Sequence, residues 1–249
     1  MKTLSAFVLL ILSVLPAFAA EQPVAIELIK SAIDNYRGLN SYSEASMTIH
    51  RKEWQRVIKM NVWTQDMDKS LVRVTAPKKD KDAGTLLIGN NMWSYAPKIN
   101  RIIKIPGSMS NQSWMGSDFS NNDIARADDI IDQYTHRIIN TSTENNKEIY
   151  TIESVPHEDA PVVWGKEVLR INEDLVFLEH RFYDQDYQLI KTLIASEIKL
   201  IDGKYISLRQ RMTKTNNKDE WTEFHTSTIK FNIKFSSNTF TLSNLRNPR

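Results

Sequence analysis

The sequence predicts a mainly β fold with a few helices, in which an antiparallel meander of strands curls around one apolar interior. Long segments alternate between apolar and polar residues with a period of two, which is typical of strands with one buried and one solvated face. Turn-forming residue pairs separate these segments at short intervals, as expected for consecutive strands joined by tight turns. Because a long meander twists and curls, the apolar faces of its strands converge on one side.

One helix is predicted before the first strand, over residues 23–37. Apolar residues recur there at steps of three and four, as on one face of a helix: Ile26, Ile29, Ile33 and Tyr36. Pro23 near the start and Gly38 just beyond the end follow the usual asymmetry of helix termini.

The strand pattern is clearest in residues 45–49, 58–62 and 229–235, where apolar residues occupy every second position. Asp202-Gly203 lies between the sequences KLI and KYI and gives the strongest hairpin signal. A type I′ turn needs positive φ at both central residues, which Asp and Gly tolerate. The segments on either side are therefore predicted to pair.

Residues 107–134 depart from the strand pattern. Their first half mixes Gly, Ser and Asn with large apolar residues, where an ordinary surface loop would be polar. Their second half has apolar residues at helical spacing: Ile124, Ala127, Ile131 and Tyr134. Ser120 followed by Asp123 resembles a capping box, so we predict an apolar loop and then a short helix. Residues 238–245 are predicted to form another short turn or helix that packs back.

The N-terminus has the three parts of a secretory signal peptide. A short positive start precedes an apolar run from Phe7 to Leu15, and Ala17-Phe18-Ala19 matches the small-x-small cleavage pattern. The run is too short to span a bilayer, which needs about 20 apolar residues. We therefore predict that residues 1–19 are cleaved and that residues 20–249 form a single domain in the periplasm; an uncleaved N-terminal anchor is the alternative.

Composition argues against several classes of protein. The chain has no Cys, which excludes disulfides, zinc–thiolate sites and an acylated cysteine anchor. Its formal net charge is +2, with both signs interspersed and no block of Lys and Arg. Nucleic-acid binding therefore has no electrostatic basis in this sequence.

No motif predicts catalysis. The five His are scattered and form neither His-x-x-x-His nor His-Glu-x-x-His, and the chain has no nucleophile–base constellation, phosphate loop or dinucleotide fingerprint. One dense group of carboxylates is present: Asp123, Asp128, Asp129 and Asp132. It could bind a cation, but we interpret it as the N-terminus and solvated face of a helix, where negative charge is favoured. The sequence thus predicts no enzyme, no cofactor and no metal.

The predicted interior is large. A curled sheet of about a dozen strands encloses more space than its own side chains fill, whereas eight strands leave room for about one small ligand. The chain supplies eight Met, six Trp and nine Phe, and Met suits a surface that repacks around variable ligands. The interior is therefore predicted to hold a ligand, with an ordinary packed core as the alternative.

Four short motifs resemble those of a known family. GNNMWSYAPKINRIIKIPG at residues 89–107 carries a turn followed by Trp-x-Tyr-x-Pro, and LVRVTAP at 71–77 is similar to the family's strand that ends in Pro. The segment MGSDFS at 115–120, followed by an acidic residue, and FTLSNL at 240–245 match two further motifs. Together they resemble the LolA-like outer-membrane lipoprotein-sorting proteins, in particular their longer subgroup.

This resemblance implies an unclosed antiparallel β-barrel, LolA/LolB-like, with helices covering the opening and an apolar cavity for acyl chains. Residues 107–134 would be the lid, with Gly107 and Gly116 as hinges; plain turn formation is the alternative for both glycines. The residues predicted to line the cavity and lid are Ile58, Met60, Val62, Val72, Val74, Trp93, Tyr95, Ile103, Ile105, Met109, Trp114, Met115 and Phe119.

The function expected from the resemblance is that of a monomeric periplasmic carrier. It would accept a lipid or an acylated lipoprotein from an inner-membrane permease of the ABC or RND type and pass it towards an outer-membrane acceptor. Two alternatives use the same fold: a lipid-responsive envelope sensor, and an accessory subunit of an inner-membrane permease with no cargo of its own.

Overall fold

The computed structural model describes residues 24–125 and 128–247. Within these ranges the chain forms a 13-stranded antiparallel sheet and four short α-helices. The strands are β1 (Asn40–His50), β2 (Gln55–Gln65), β3 (Lys69–Ala76), β4 (Gly84–Ile88), β5 (Asn91–Ala96), β6 (Arg101–Ile105), β7 (Tyr134–Glu144), β8 (Lys147–Pro156), β9 (Lys166–Asn172), β10 (Phe177–Tyr183), β11 (Leu189–Ile201), β12 (Lys204–Lys214) and β13 (Asn217–Phe231). The helices are α1 (Ala25–Arg37), α2 (Asn121–Ala125), α3 (Asp129–Asp132) and α4 (Leu242–Arg246).

The order of strands leaves the sheet open. Each strand pairs with its neighbours in the chain, except that β6 and β7 do not pair and that β1 pairs with β13. The first and last strands therefore meet inside the sheet, while β6 and β7 form its two edges. The predicted unclosed antiparallel meander with a few helices is confirmed.

One face of the sheet packs against α1 and residues 107–134, and we call it the inner face. This face is apolar because apolar residues of neighbouring strands lie opposite one another. Met47 on β1, for example, is paired with Ile58 on β2 and with Phe224 on β13. Met47 and Ile58 are buried, as the period of two in the sequence predicts.

The helix α1 closes part of the inner face. Its buried residues Leu28, Ile29 and Ala32 belong to one cluster with Ile152 on β8 and Leu169 on β9. The predicted helix is thus confirmed from Ala25 to Arg37, while Pro23 lies outside the described residues. None of the helices in the described ranges has the length and apolar character that crossing a membrane requires.

The chain beyond β13 covers part of the opposite, outer face. Phe240 and Leu245 are buried there in one cluster with Leu71 and Leu86. Arg73 holds this segment in place, because its Nη2 atom donates to the backbone oxygen of Asn244 at 2.6 Å. The short helix predicted within 238–245, which packs back on the domain, is confirmed as α4.

The prediction that a strand continues to Phe235 is wrong, because β13 ends at Phe231. Asn232 has a φ of 58°, and its N–H donates to the backbone oxygen of Asn40 at 2.8 Å, which turns the chain out of the sheet. Phe235 instead contacts Phe240, with ring centroids 5.6 Å apart. The apolar alternation persists because the C-terminal segment, and not the sheet, packs around Phe235.

The hairpin between β11 and β12 turns at Asp202 and Gly203, whose φ angles are 48° and 79°. Both are positive, as a type I′ turn requires. Gly203→Ala is expected to lower the free energy of unfolding by about 1 kcal/mol, since a Cβ is strained in the left-handed region. A Cβ at Gly203 would meet nothing within 4 Å, so the loss is conformational.

Chemical denaturation measures this loss, and Gly107→Ala is the matched control. A Cβ at Gly107 also meets nothing within 4 Å, but its φ is not positive. The control is expected to leave the free energy of unfolding unchanged or slightly raised, because Ala restricts the unfolded chain more than Gly does. Equal losses in both variants would contradict the I′ assignment.

Candidate functional site

Residues 107–134, called the cover segment below, connect the edge strand β6 to the edge strand β7, and their described parts, 107–125 and 128–134, pass over the inner face. The segment contains 3₁₀ turns at Gly107–Met109 and Trp114–Gly116, followed by α2 and α3. Three of its residues, Trp114, Asp118 and Asp123, make buried contacts with the sheet.

The first attachment is apolar. Trp114 is buried, and its indole Nε1 donates to Thr85 Oγ1 at 3.1 Å. Its ring centroid lies 6.1 Å from that of Phe224. It belongs to a cluster of inner-face residues from β1 to β5: Met47, Ile49, Ile58, Met60, Val72, Val74, Leu87 and Met92. Protein side chains therefore fill this half of the inner face.

The second attachment is ionic. The Nη1 and Nη2 atoms of Arg51, in the β1–β2 turn, donate to the Asp118 carboxylate at 3.0 and 3.1 Å. Thr222 on β13 donates to the same carboxylate at 2.7 Å and accepts from the Asp118 N–H at 3.0 Å. The Asp118 side chain is only 5% exposed, so this pair is worth more than a surface salt bridge.

The third attachment is a buried ion pair between Asp123, at the start of α2, and Lys191 on β11. Their side chains are 6% and 4% exposed. Ser120 Oγ accepts from the Asp123 N–H at 3.1 Å and the Asp123 carboxylate accepts from the Ser120 N–H at 2.7 Å, so the predicted capping box is confirmed. The expectation that Asp123 lies on a solvated helix face is wrong, because Lys191 lies beneath it.

The helix predicted in the second half of the cover segment is split into α2 and α3. Ile130 on α3 is buried against the cluster that contains α1, while Tyr134 already belongs to β7. Ala127, predicted on the same face, lies outside the described residues. The described residues of this half therefore form two short helices, α2 and α3.

A cavity of about 240 Å³ remains between the cover segment, α1 and strands β9–β12. Most of its lining is apolar: Ile33, Phe119, Ile130, Val162, Trp164, Leu169, Phe177, Phe182, Leu193 and Met212. The volume exceeds the roughly 150 Å³ that holds a benzene molecule, but is below the roughly 300–1,000 Å³ of typical ligand pockets. As it stands, the cavity has room for part of an acyl chain.

One wall of the cavity is polar. Glu167 on β9 is buried and is hydrogen-bonded to His180 on β10. Burial raises the pKa of Tyr134, and the Glu167 carboxylate raises it further. In residues 24–125 and 128–247, no three His, Asp or Glu side chains are grouped in a way that would hold a metal ion.

The C-terminal end of α1 supplies a second polar part of the lining. Desolvation of its hydroxyl raises the pKa of Tyr36 and the hydrogen bond with Gln210 lowers it, while the residue as a whole is 39% exposed. Burial lowers the pKa of the neighbouring Arg37, while the carboxylates of Asp128 and Asp68 raise it. Asp128 and Asp129, which were predicted to lie on the solvated face of a helix, also line the cavity.

The structure separates the residues predicted to form the site. Ile58, Met60, Val72 and Val74 are buried around Trp114, and Val62, Ile105 and Met115 pack partly buried against that cluster. Ile103 lies on the edge strand β6 and is 46% exposed, and Met109 is half-buried. Of the predicted residues, Phe119 alone lines the cavity.

Trp93 and Tyr95 were predicted to face the interior, and this is wrong. They pack on the outer face with Phe240 and Leu245. Register shows why: Met92 lies opposite Leu87 and Ile105 with its side chain on the inner face, so its neighbour Trp93 points outwards.

Sequence reasoning missed most of the lining that the structure reveals. Trp164, Leu169, Phe182, Leu193 and Met212 come from four strands and a loop in the second half of the chain. Leu193 and Met212 are directly opposite each other in the register of β11 and β12. The pairing of consecutive strands predicts that these two residues share one face of the sheet. It does not predict that α1 lies over that face.

Comparison with known proteins gives a family and a fold. A family model described as "Uncharacterized protein" matches residues 66–247. No curated protein sequence matches the chain significantly.

Three solved structures share the fold. An outer membrane lipoprotein-sorting protein domain from Vibrio parahaemolyticus is 20% identical, covers 89% of this chain and 98% of its own, and has a TM-score of 0.79. A DUF1329 family protein from Desulfovibrio piger is 24% identical, with coverages of 88% and 97% and a TM-score of 0.80. A LolA superfamily protein from Nitrosomonas europaea is 18% identical, with coverages of 89% and 99% and a TM-score of 0.73.

Proposed function

The chain belongs to the family whose model matches residues 66–247, a family with the LolA-like fold of outer-membrane lipoprotein-sorting proteins, and from this premise we propose that it carries acyl chains through the periplasm. Its cargo would be a lipid or an acylated lipoprotein, moved from the inner to the outer membrane. The observation that carries the proposal is the apolar cavity beneath the cover segment.

The cavity supplies what such a carrier needs. Exposing an acyl chain to water costs about 0.8 kcal/mol per CH₂, so cargo that crosses an aqueous compartment must be enclosed. The lining residues Phe119, Phe182 and Met212 are apolar and largely buried, and Met212 adapts readily to different ligand shapes.

Release requires a second state, and the cover segment is the part that would move. It connects β6 to β7, and side chains of its described residues, such as Asp118 and Asp123, attach it to the sheet. We propose that it opens as a lid, which enlarges the cavity to admit a whole acyl chain. A membrane partner that binds one of the two states would then drive loading or release.

Residues 1–19, the predicted signal peptide, lie outside the described residues, and export to the periplasm is part of the proposal. So are an inner-membrane permease of the ABC or RND type as donor and an outer-membrane acceptor. The carrier function requires no catalytic group, and we propose that the protein is not an enzyme.

A cavity-filling substitution tests the proposal. Leu193→Trp is expected to weaken binding of a fluorescent fatty acid by about tenfold or more, because the indole ring would occupy the cavity. Fluorescence titration of the purified mature protein measures the affinity. The matched control is Ile194→Trp, which adds nearly the same volume to the next residue of β11, whose side chain is 54% exposed on the outer face.

The control is expected to bind the fatty acid as the wild-type protein does. If Leu193→Trp, shown by circular dichroism to be folded, also binds with wild-type affinity, the cavity is not the acyl site. Native mass spectrometry of protein purified from the periplasm separates the alternatives: bound lipid or acylated peptide supports a carrier, and a bare protein that co-purifies with a permease supports an accessory subunit.

A further inference from the structure

Arg37 has a set of contacts unusual for a cation that lines an apolar cavity. It is the last residue of α1, and its Nη2 atom donates to the backbone oxygens of Asp66 and Lys69 at 3.3 and 3.5 Å. Both distances are long for a hydrogen bond from nitrogen to oxygen. Both acceptors are backbone oxygens and not carboxylates.

The Nε atom of Arg37 is buried and has no hydrogen-bond acceptor in the part of the chain that the structure describes. A buried N–H without a partner costs about 1–3 kcal/mol, and more when the group is charged. Such groups are rare in native proteins and each calls for a cause, which includes a missing ligand.

Holding α1 to the β2–β3 connection accounts for the Nη2 contacts of Arg37 but not for its buried, unused Nε–H. An arginine in the last turn of a helix usually interacts with the carbonyl groups of that turn. The acceptors of Arg37 belong instead to the β2–β3 connection, and its Nε–H remains unused. Burial removes water from the guanidinium and so lowers its pKa, and an anion would restore the lost stabilisation.

We propose that Arg37 binds the anionic headgroup, a carboxylate or a phosphate, of an amphiphile whose acyl chain lies along Phe119, Phe182, Leu193 and Met212. The guanidinium suits either anion, because its donors match the spacing of two oxygens. The inference rests on the proposed carrier function and adds the chemical class of the cargo: an amphiphile with a single acidic headgroup.

The negative charge of a nearby carboxylate affects how tightly an anion can bind at Arg37. Asp128 also lines the cavity, and its negative charge acts on Arg37. It favours the arginine cation but disfavours a bound anion. Binding of an anion is therefore expected to strengthen when Asp128 is made neutral, which a role of Asp128 as the partner of Arg37 would not produce.

The experiment compares three amphiphiles with the same acyl chain on the full mature protein by calorimetry. They are a fatty acid, a lysophospholipid whose phosphate is its only charged group, and an uncharged monoacylglycerol. Arg37→Gln is expected to weaken the two anionic ligands by about tenfold and the monoacylglycerol by less than about twofold. Asp128→Asn is expected to strengthen the anionic ligands by about threefold.

Arg101→Gln, which removes a charge from an exposed residue of β6, is the control and should change nothing. If the wild type binds all three amphiphiles equally and Arg37→Gln changes none of the affinities, the headgroup inference is overturned while the carrier function stands. If no amphiphile binds the wild type, the carrier function itself fails. Stronger loss for the fatty acid or for the lysophospholipid identifies the headgroup as carboxylate or phosphate.

Discussion

Asp118→Ala is expected to lower the free energy of unfolding by about 3 kcal/mol. The substitution leaves Arg51, whose side chain is 15% exposed, without its bidentate partner. It also removes the acceptor of the Thr222 hydroxyl. Arg51 would keep only the more distant Glu220 carboxylate, at 3.6 Å, and a largely buried cation that loses its hydrogen-bonded partner is costly, so the expected loss exceeds that of an ordinary surface pair.

Denaturation by urea measures this loss, and a double substitution separates its causes. Arg51→Met combined with Asp118→Leu removes both charges, so most of the stability lost in Asp118→Ala is expected to return. Arg137→Ala breaks an exposed pair with Glu153 and should cost less than about 1 kcal/mol. A loss in Asp118→Ala no greater than that of Arg137→Ala would show that the cover segment is not held at this point.

The MGSDFS segment shows how a motif can be located correctly while its roles are assigned incompletely. Its apolar residues were predicted to contact the ligand, and Phe119 does line the cavity. The attachment through Asp118 could not be foreseen, because its partners Arg51 and Thr222 lie 67 and 104 residues away in the chain. Only the closing pair between β1 and β13 brings them together.

The fold was predictable because its strands are consecutive and most alternate clearly. The sequence did not show which face of β3–β5 points inwards, because both faces of these strands are covered. In β3, Leu71, Val72, Arg73 and Val74 are all buried. Trp114 covers one side and Leu245 the other, so the sequence there carries no contrast between a buried and a solvated face. This is the physical reason why Trp93 and Tyr95 were assigned to the wrong face.

The cavity was hard to predict for a different reason. Its lining residues, such as Leu169 and Met212, have the same apolar character as those of the filled half. What distinguishes the two halves is the position of Trp114, which occupies one half, and of α1, which spans the other without filling it. These positions depend on contacts across the whole sheet and leave no local pattern in the sequence.

Trp114→Ala is expected to open the cover segment while the sheet stays folded. Truncation of a buried aromatic side chain costs about 3–5 kcal/mol, and here the loss falls on the contact between the segment and the sheet. The hydrogen bond to Thr85 is lost as well. A loss of about 3 kcal/mol corresponds to roughly a hundredfold faster amide exchange in residues 107–125.

Hydrogen exchange followed by mass spectrometry measures this change peptide by peptide. Peptides from β8 and β9, which pack against α1, are expected to keep their wild-type exchange rates, because Trp114 does not belong to their cluster. Tyr187→Ala, at an exposed aromatic residue between β10 and β11, is the control. If exchange rises equally in the cover segment and in β8, then Trp114 stabilises the domain as a whole and does not specifically hold the cover segment on the sheet. A selective rise, accompanied by faster association of the fluorescent fatty acid, would show that opening of this segment limits entry to the cavity, because the lining residues themselves are unchanged.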